Sequence, residues 1–150
     1  MVVVGIPTII TKRLFNLDKD GVYMEKLKKS PQDAYELFYE NSHIHGRYTA
    51  MIHGKRCTSL NEFLREFSVA FQFPWYFGEN WAAWDECATD LDWLVFQSIA
   101  VIIDDYDSFF SEEPNKEELL SELEKEFVCI EDYWEKCMSK TCVIIVCSSE

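Results

Sequence analysis

Cations are scarce in this chain of 150 residues. Lys and Arg total 14 against 27 Asp and Glu, which leaves a net charge of -13. Phosphate backbones and anionic membrane surfaces call for the opposite sign, so neither nucleic acid nor a membrane is expected as a partner. A basic protein would be attracted. Glycine is also sparse: there are five, and none sits in a Gly-rich loop that could cradle a phosphate. No apolar run approaches the length of roughly 20 residues that spans a bilayer. The first residues, Met1 to Pro7, lack the basic flank of a secretory leader and contain a proline, so a cytoplasmic location is expected. Cysteines stand at 57, 87, 129, 137, 142 and 147 with no Cys-x-x-Cys. That spacing argues against a zinc ribbon or a thioredoxin-like pair, and buried reduced thiols serving as small apolar side chains are expected.

What is present points to a packed globule. Apolar residues make up 48% and aromatics 15%, which suits one domain over 1–150 with a sizeable core. Thr8–Thr11 reads as a strand, Asp18–Gly21 as a turn and Val22–Met24 as a second strand. Ser30-Pro31-Gln32-Asp33 opens a helix with a hydroxyl cap and a proline at the first position; Ala34, Leu37 and Phe38 form its apolar stripe, and Asn41-Ser42 ends it. Arg47–His53 reads as a strand closed by Gly54. Ser59-Leu60-Asn61-Glu62 has the capping-box spacing, and Leu60, Phe63, Leu64, Phe67 and Phe71 follow at helical intervals. Ile99–Ile103 and Val143–Val146 are continuous apolar runs, as expected of covered parallel strands. Between them Pro114-Asn115 precedes a long helix striped by Leu120, Leu123, Phe127, Ile130 and Trp134. Strands separated by helices predict an α/β fold with a mainly parallel sheet.

The most informative stretch is 73–93. Pro74 and Gly78 punctuate an aromatic turn, and a helix follows at once. Trp81, Trp84, Ala88 and Leu91 fall on one side of that helix, while Glu79, Glu86 and Asp90 fall on the other with the small Ala82 and Ala83 between them. An apolar back and an acidic, low-relief front suit docking onto a flat cationic surface. The bland alternative for Glu79 and Glu86 is an ordinary solvated helix face, with Glu79 favoured by the helix dipole. The acids Glu112, Glu113, Glu117, Glu118, Glu122 and Glu126 read as the wet face of the last helix.

The same residues carry a resemblance. Tyr76-Phe77-Gly78-Glu79-Asn80-Trp81, then Asp85-Glu86-Cys87 and Asp90-Leu91-Asp92-Trp93, resemble the central motif of the barstar family of ribonuclease inhibitors. The likeness extends upstream through Ile52-His53-Gly54 and the helix from Ser59 to Phe71. Downstream it reaches the strands Ile99–Ile103 and Cys142–Cys147. It implies a barstar-like α/β fold, a small mainly parallel sheet packed with helices, with a family core over 47–150 and an N-terminal strand and helix extension over 1–46. It also implies that acidic side chains occupy the cationic active site of a basic ribonuclease, where phosphates would sit. Interfacial charge coupling in the prototype complex is itself among the standard measured cases. Position by position, Glu86 matches the prototype's principal helix acid. Tyr76, Asn80 and Thr89 match contact residues, and Glu135 matches a second acidic contact. Asp85 and Asp90 replace a contact Trp and a Gly, adding charge. Ala82 stands where the prototype has another acid, and Leu91 where it has another Trp. Tyr76, Asn80, Asp85, Glu86, Thr89, Asp90 and Glu135 are the expected partner-binding set, on a chain that is monomeric when free.

Two other readings stand beside this one. An immunity or protein-binding module of the same fold could face a partner that is not a ribonuclease. A small metal-dependent hydrolase could use the same acids, but its signals are thin. His43-x-His45 lacks a third ligand, Cys87 has no partner but the distant His53, and Glu79 with Glu86 lacks the loops of a glycosidase cleft. No enzyme activity, metal or cofactor is expected.

Overall fold

The computed structural model describes residues 24–28 and 30–148. The expected strand at Thr8–Thr11, the turn at Asp18–Gly21 and the residues Val22 and Tyr23 lie outside them. Strand β1 runs over Met24–Lys28 and includes Met24 of the expected second strand. Helix α1 spans Pro31–Ser42, with the Ser30 side chain accepting from the Asp33 amide. Strand β2 is Arg47–His53, helix α2 is Leu60–Ala70 and helix α3 is Trp81–Asp90. Strand β3 is Ser98–Asp104, helix α4 is Lys116–Met138 and strand β4 is Thr141–Ser148.

The four strands make one sheet in the order β1-β4-β3-β2, and every pairing in it is parallel. Side chains of a strand alternate between faces, and the inner strands separate two cores accordingly. Ile99, Val101, Ile103, Cys142, Ile144 and Val146 join the larger core with α2, α3 and α4. Ile102, Val143, Ile145 and Cys147 face the other way, onto Ala34 and Leu37 of α1. Both faces are covered, which is why β3 and β4 read as unbroken apolar runs instead of alternating ones.

Aromatic rings fill the larger core. Phe63 is its hub, with the rings of Phe67, Trp81, Trp84, Phe109 and Phe110 within 6 Å of its own. At the end of β2, Gly54 approaches the next strand so closely that an added Cβ would sit 2.0 Å from the Asp105 carbonyl. Only glycine fits there. Its amide donates to the buried Asp104 carboxylate at 3.1 Å, and His53 Nδ1 lies 2.9 Å from the same group.

Three details depart from the sequence reading. On α4 the buried stripe begins at Leu119, not Leu120, and includes the charged residue Glu131. Cys129 and Cys137 are exposed, whereas Cys57, Cys87, Cys142 and Cys147 are buried; all six are free thiols. Finally, Glu112 and Glu113 precede α4 and hold the start of α2. Glu112 accepts from the Thr58 hydroxyl and Glu113 from the Leu60 amide, each at 2.8 Å. Ser59 caps α2 as expected, but Glu62 bonds Thr58 instead of returning to the cap.

Candidate functional site

The aromatic turn before α3 sorts its residues by side. Phe73 and Phe77 pack against the core, held by backbone bonds from Phe73 to Ser68 and from Phe77 to Pro74. Tyr76 is 56% exposed and Trp75 95% exposed. Asn80 then caps α3, its side chain accepting from the Ala83 amide at 2.9 Å, so it satisfies an otherwise orphaned helix donor. Glu79 lies just outside the helix at a positive φ of 54° and meets Arg65 at 3.1 Å.

Helix α3 has the two faces that its spacing predicts. Trp84, Cys87, Ala88 and Leu91 are buried, and Trp81 is half-buried against Phe63 and Trp84. Ala82, Glu86 and Asp90 are exposed on the opposite side. Leu91 closes the helix in the left-handed region, φ 46°, a conformation that disfavours a branched side chain. Its burial at 1% exposure anchors it there and removes it from the front.

Electrostatics link the turn to the front. The Tyr76 phenol is pushed up by partial desolvation and then by the nearby Cys87, Asp90, Asp92 and Glu86. Burial raises the Cys87 thiol, with Glu86 and Asp90 adding to the effect, which makes it a poor nucleophile. Tyr76, Glu86 and Asp90 therefore share one exposed, anionic surface. Asp92 belongs to the same group, though the sequence reading did not select it.

The remaining expected residues have other engagements. Thr89 is half-buried, its hydroxyl 2.8 Å from the Asp85 carbonyl and 3.1 Å from that of Glu86, both within its own helix. Asp85 is half-buried and acts on Glu126 of α4, whose carboxyl is pushed up to about 7 by desolvation, then by Asp85 and by Glu122. Glu126 is therefore not the simple wet-face acid that its helical position implied. Glu135 is half-buried; the Cys142 thiol at the foot of β4 is raised first by its burial and then by Glu131 and Glu135. The structure thus gathers Tyr76, Glu86 and Asp90, sets Asn80 at their edge, and places Asp85 and Glu135 on flanks of different character.

Among the described residues there is no cluster of three or more His, Cys, Asp or Glu that could hold a metal ion. His43 ends α1 with its ring on the Tyr39 carbonyl at 2.8 Å. His53 is engaged with Asp104 at 2.9 Å. Among the described residues no helix is long and apolar enough to cross a membrane.

Residues 47–145 match the family model described as Barstar (barnase inhibitor). A comparison with curated proteins finds no match. The matched residues run from the first residue of β2 into β4 and make up more than half of the chain, so the chain belongs to the barstar family. Its fold is barstar-like α/β, and the family is one of inhibitors, not of enzymes.

Proposed function

We propose that this member of the barstar family inhibits a basic ribonuclease by covering its active site with the front of α3 and the turn before it. Glu86 is the principal contact and takes the place of a substrate phosphate. Asp90 and Tyr76 flank it. Asn80 fixes the start of the helix while staying exposed, and Thr89 lines the edge. Asp85 and Glu135 extend the negative surface at its flanks. The chain-wide excess of acid supports this reading. We take residues 1–46 as an extension of the same domain, and the free chain as a cytoplasmic monomer.

The observation that carries the proposal is the exposed Tyr76–Glu86–Asp90 surface on α3 and the turn before it, within the family match and backed by a helix face that buries Trp84, Cys87 and Ala88. A phosphodiesterase that cleaves RNA must bind a polyanion, so its active site is cationic. A preformed carboxylate surface on a rigid helix meets such a site without reorganisation. The direct test is RNA cleavage by a basic ribonuclease of the barnase type, titrated with this chain. Stoichiometric loss of cleavage that fails with Glu86→Ala is the expected result. Undiminished cleavage at large molar excess against a panel of such enzymes overturns the proposal.

A second reading has one observation in its favour. Ala82 is exposed at the position of the prototype's other helix acid, and the buried Leu91 offers no aromatic contact. The front therefore differs from the prototype's in shape and charge, which suits a protein target other than barnase itself. Capture of a basic protein without ribonuclease activity, released by Glu86→Ala, is its expected signature.

A further inference from the structure

Trp75 stands outside the core. It is 95% exposed, more so than any other aromatic side chain among the exposed large hydrophobics. Its ring stands edge-on to that of Tyr76, centroids 6.0 Å apart. Tyr76 in turn lies within the field of Glu86, Asp90 and Asp92. An indole face is thus held open to solvent beside Tyr76, in the turn that leads into the helix carrying the exposed Glu86 and Asp90, and Phe73 and Phe77 on either side are packed against the core.

We propose that Trp75 is a specificity-determining contact that selects arginine on the partner's surface. The inference rests on the reading of α3 as a partner-binding face. A guanidinium can stack flat on an indole and direct its N–H groups sideways to a carboxylate at the same time. A lysine ammonium is a compact, strongly hydrated point charge that gains less from a flat ring. Aromatic ring and acids side by side therefore distinguish between two cations that the acids alone would treat alike. The net charge of -13 brings any cationic surface in; Trp75 decides which cation is retained. Exposed Trp residues flanked by charge are also the type that becomes an interface anchor on burial.

The test uses the full chain, labelled with nitrogen-15, and two probes of equal charge, hexa-arginine amide and hexa-lysine amide. The indole N–H signal of Trp75 is identified by its loss in Trp75→Phe. Hexa-arginine is expected to bind about two- to fivefold more tightly than hexa-lysine and to move the Trp75 signal further at equal saturation. Trp75→Ala should remove that preference by weakening hexa-arginine more than hexa-lysine, while Trp75→Phe keeps part of it. Equal affinity for the two peptides, or a preference that survives Trp75→Ala, overturns the inference. The paired variant Glu86→Ala separates the two levels of argument. If it weakens both peptides while Trp75→Ala weakens neither, Trp75 is no contact but the acidic face stands. If neither variant changes binding of either peptide, the acidic face itself has failed, and this inference fails with it.

Discussion

At the scale of single residues, the two faces of α3 make opposite predictions. Glu86 is exposed, and truncating it removes a charge without disturbing the core. Glu86→Ala should leave the melting temperature within a degree or two of the parent, yet weaken partner binding by ~2–5 kcal/mol, mostly through faster dissociation. Unchanged binding with intact folding would remove Glu86 from the site. Trp84 has 0% exposure and packs against Phe63, Phe67 and Phe127. Trp84→Ala should cost roughly 3–5 kcal/mol in a denaturant titration. Trp81, half-buried at the start of the helix, should cost less. Equal stability of the Trp84 variant and the parent would mean that the inside and outside of α3 are reversed. Ala82 is the third case. It lies exposed in the first turn of a helix that has no acid there, so Ala82→Asp should be neutral or stabilising by up to ~1 kcal/mol through the helix dipole. It should also improve binding to ribonucleases of the barnase type, and not to a partner matched to alanine. A fall in stability on thermal denaturation, with no gain toward any ribonuclease, would contradict both halves.

At the scale of elements, periodicity was a sound guide to faces and a poor one to neighbours. Arg47–His53 was legible as a strand to the residue, because Gly54 stops it and its β-branched and aromatic content favours it. The back of α3 was legible because Trp84, Ala88 and Leu91 repeat at helical intervals. What a half-buried acid touches was not legible, since that depends on how two helices cross. Asp85 looked like part of the front, but the packing of α3 on α4 turns it to Glu126. Trp75 was equally hidden: its exposure beside Tyr76 follows from the packing of Phe73 and Phe77 against the core, which no spacing rule provides. The α3–α4 contact has a consequence for pH. Glu126 is raised from 4.5 to about 7 in the fold, first by desolvation and then by Asp85 and Glu122. The folded state therefore binds the proton more tightly than the unfolded state. Its contribution to stability is whole below about 4.5 and is lost as pH rises through about 7. Solvent screening at this partly exposed site keeps the effect modest. Chemical denaturation at closely spaced pH values should show stability declining over that window, and Glu126→Gln should flatten the decline. A variant with an unaltered pH profile would show that the fold does not raise the Glu126 carboxyl.

At the scale of the whole molecule, 27 acids against 14 bases exceed anything the α3 front requires. Glu117, Glu118 and Glu122 on α4 are exposed and lie outside the front, so they cannot each touch a partner docked on α3. Their field still reaches it, because charges act over about 10 Å at ordinary salt and further when salt is low. An exposed helix with an acidic front would give a short-range contact; an acidic molecule behind it gives steering as well. The two are separable by kinetics. With a basic ribonuclease in stopped flow, association should slow by about tenfold or more as ionic strength rises from low to high, in keeping with a steered encounter. Dissociation should change far less, since it is set by the desolvated contacts of Glu86 and its neighbours. Neutralising Glu117, Glu118 and Glu122 together by Gln substitution should lower the association rate at low salt and leave dissociation as it was. Neutralising Glu86 should do the reverse, acting chiefly on dissociation. An association rate that ignores salt would reduce the acidity to a solubility device and leave α3 to account for recognition alone.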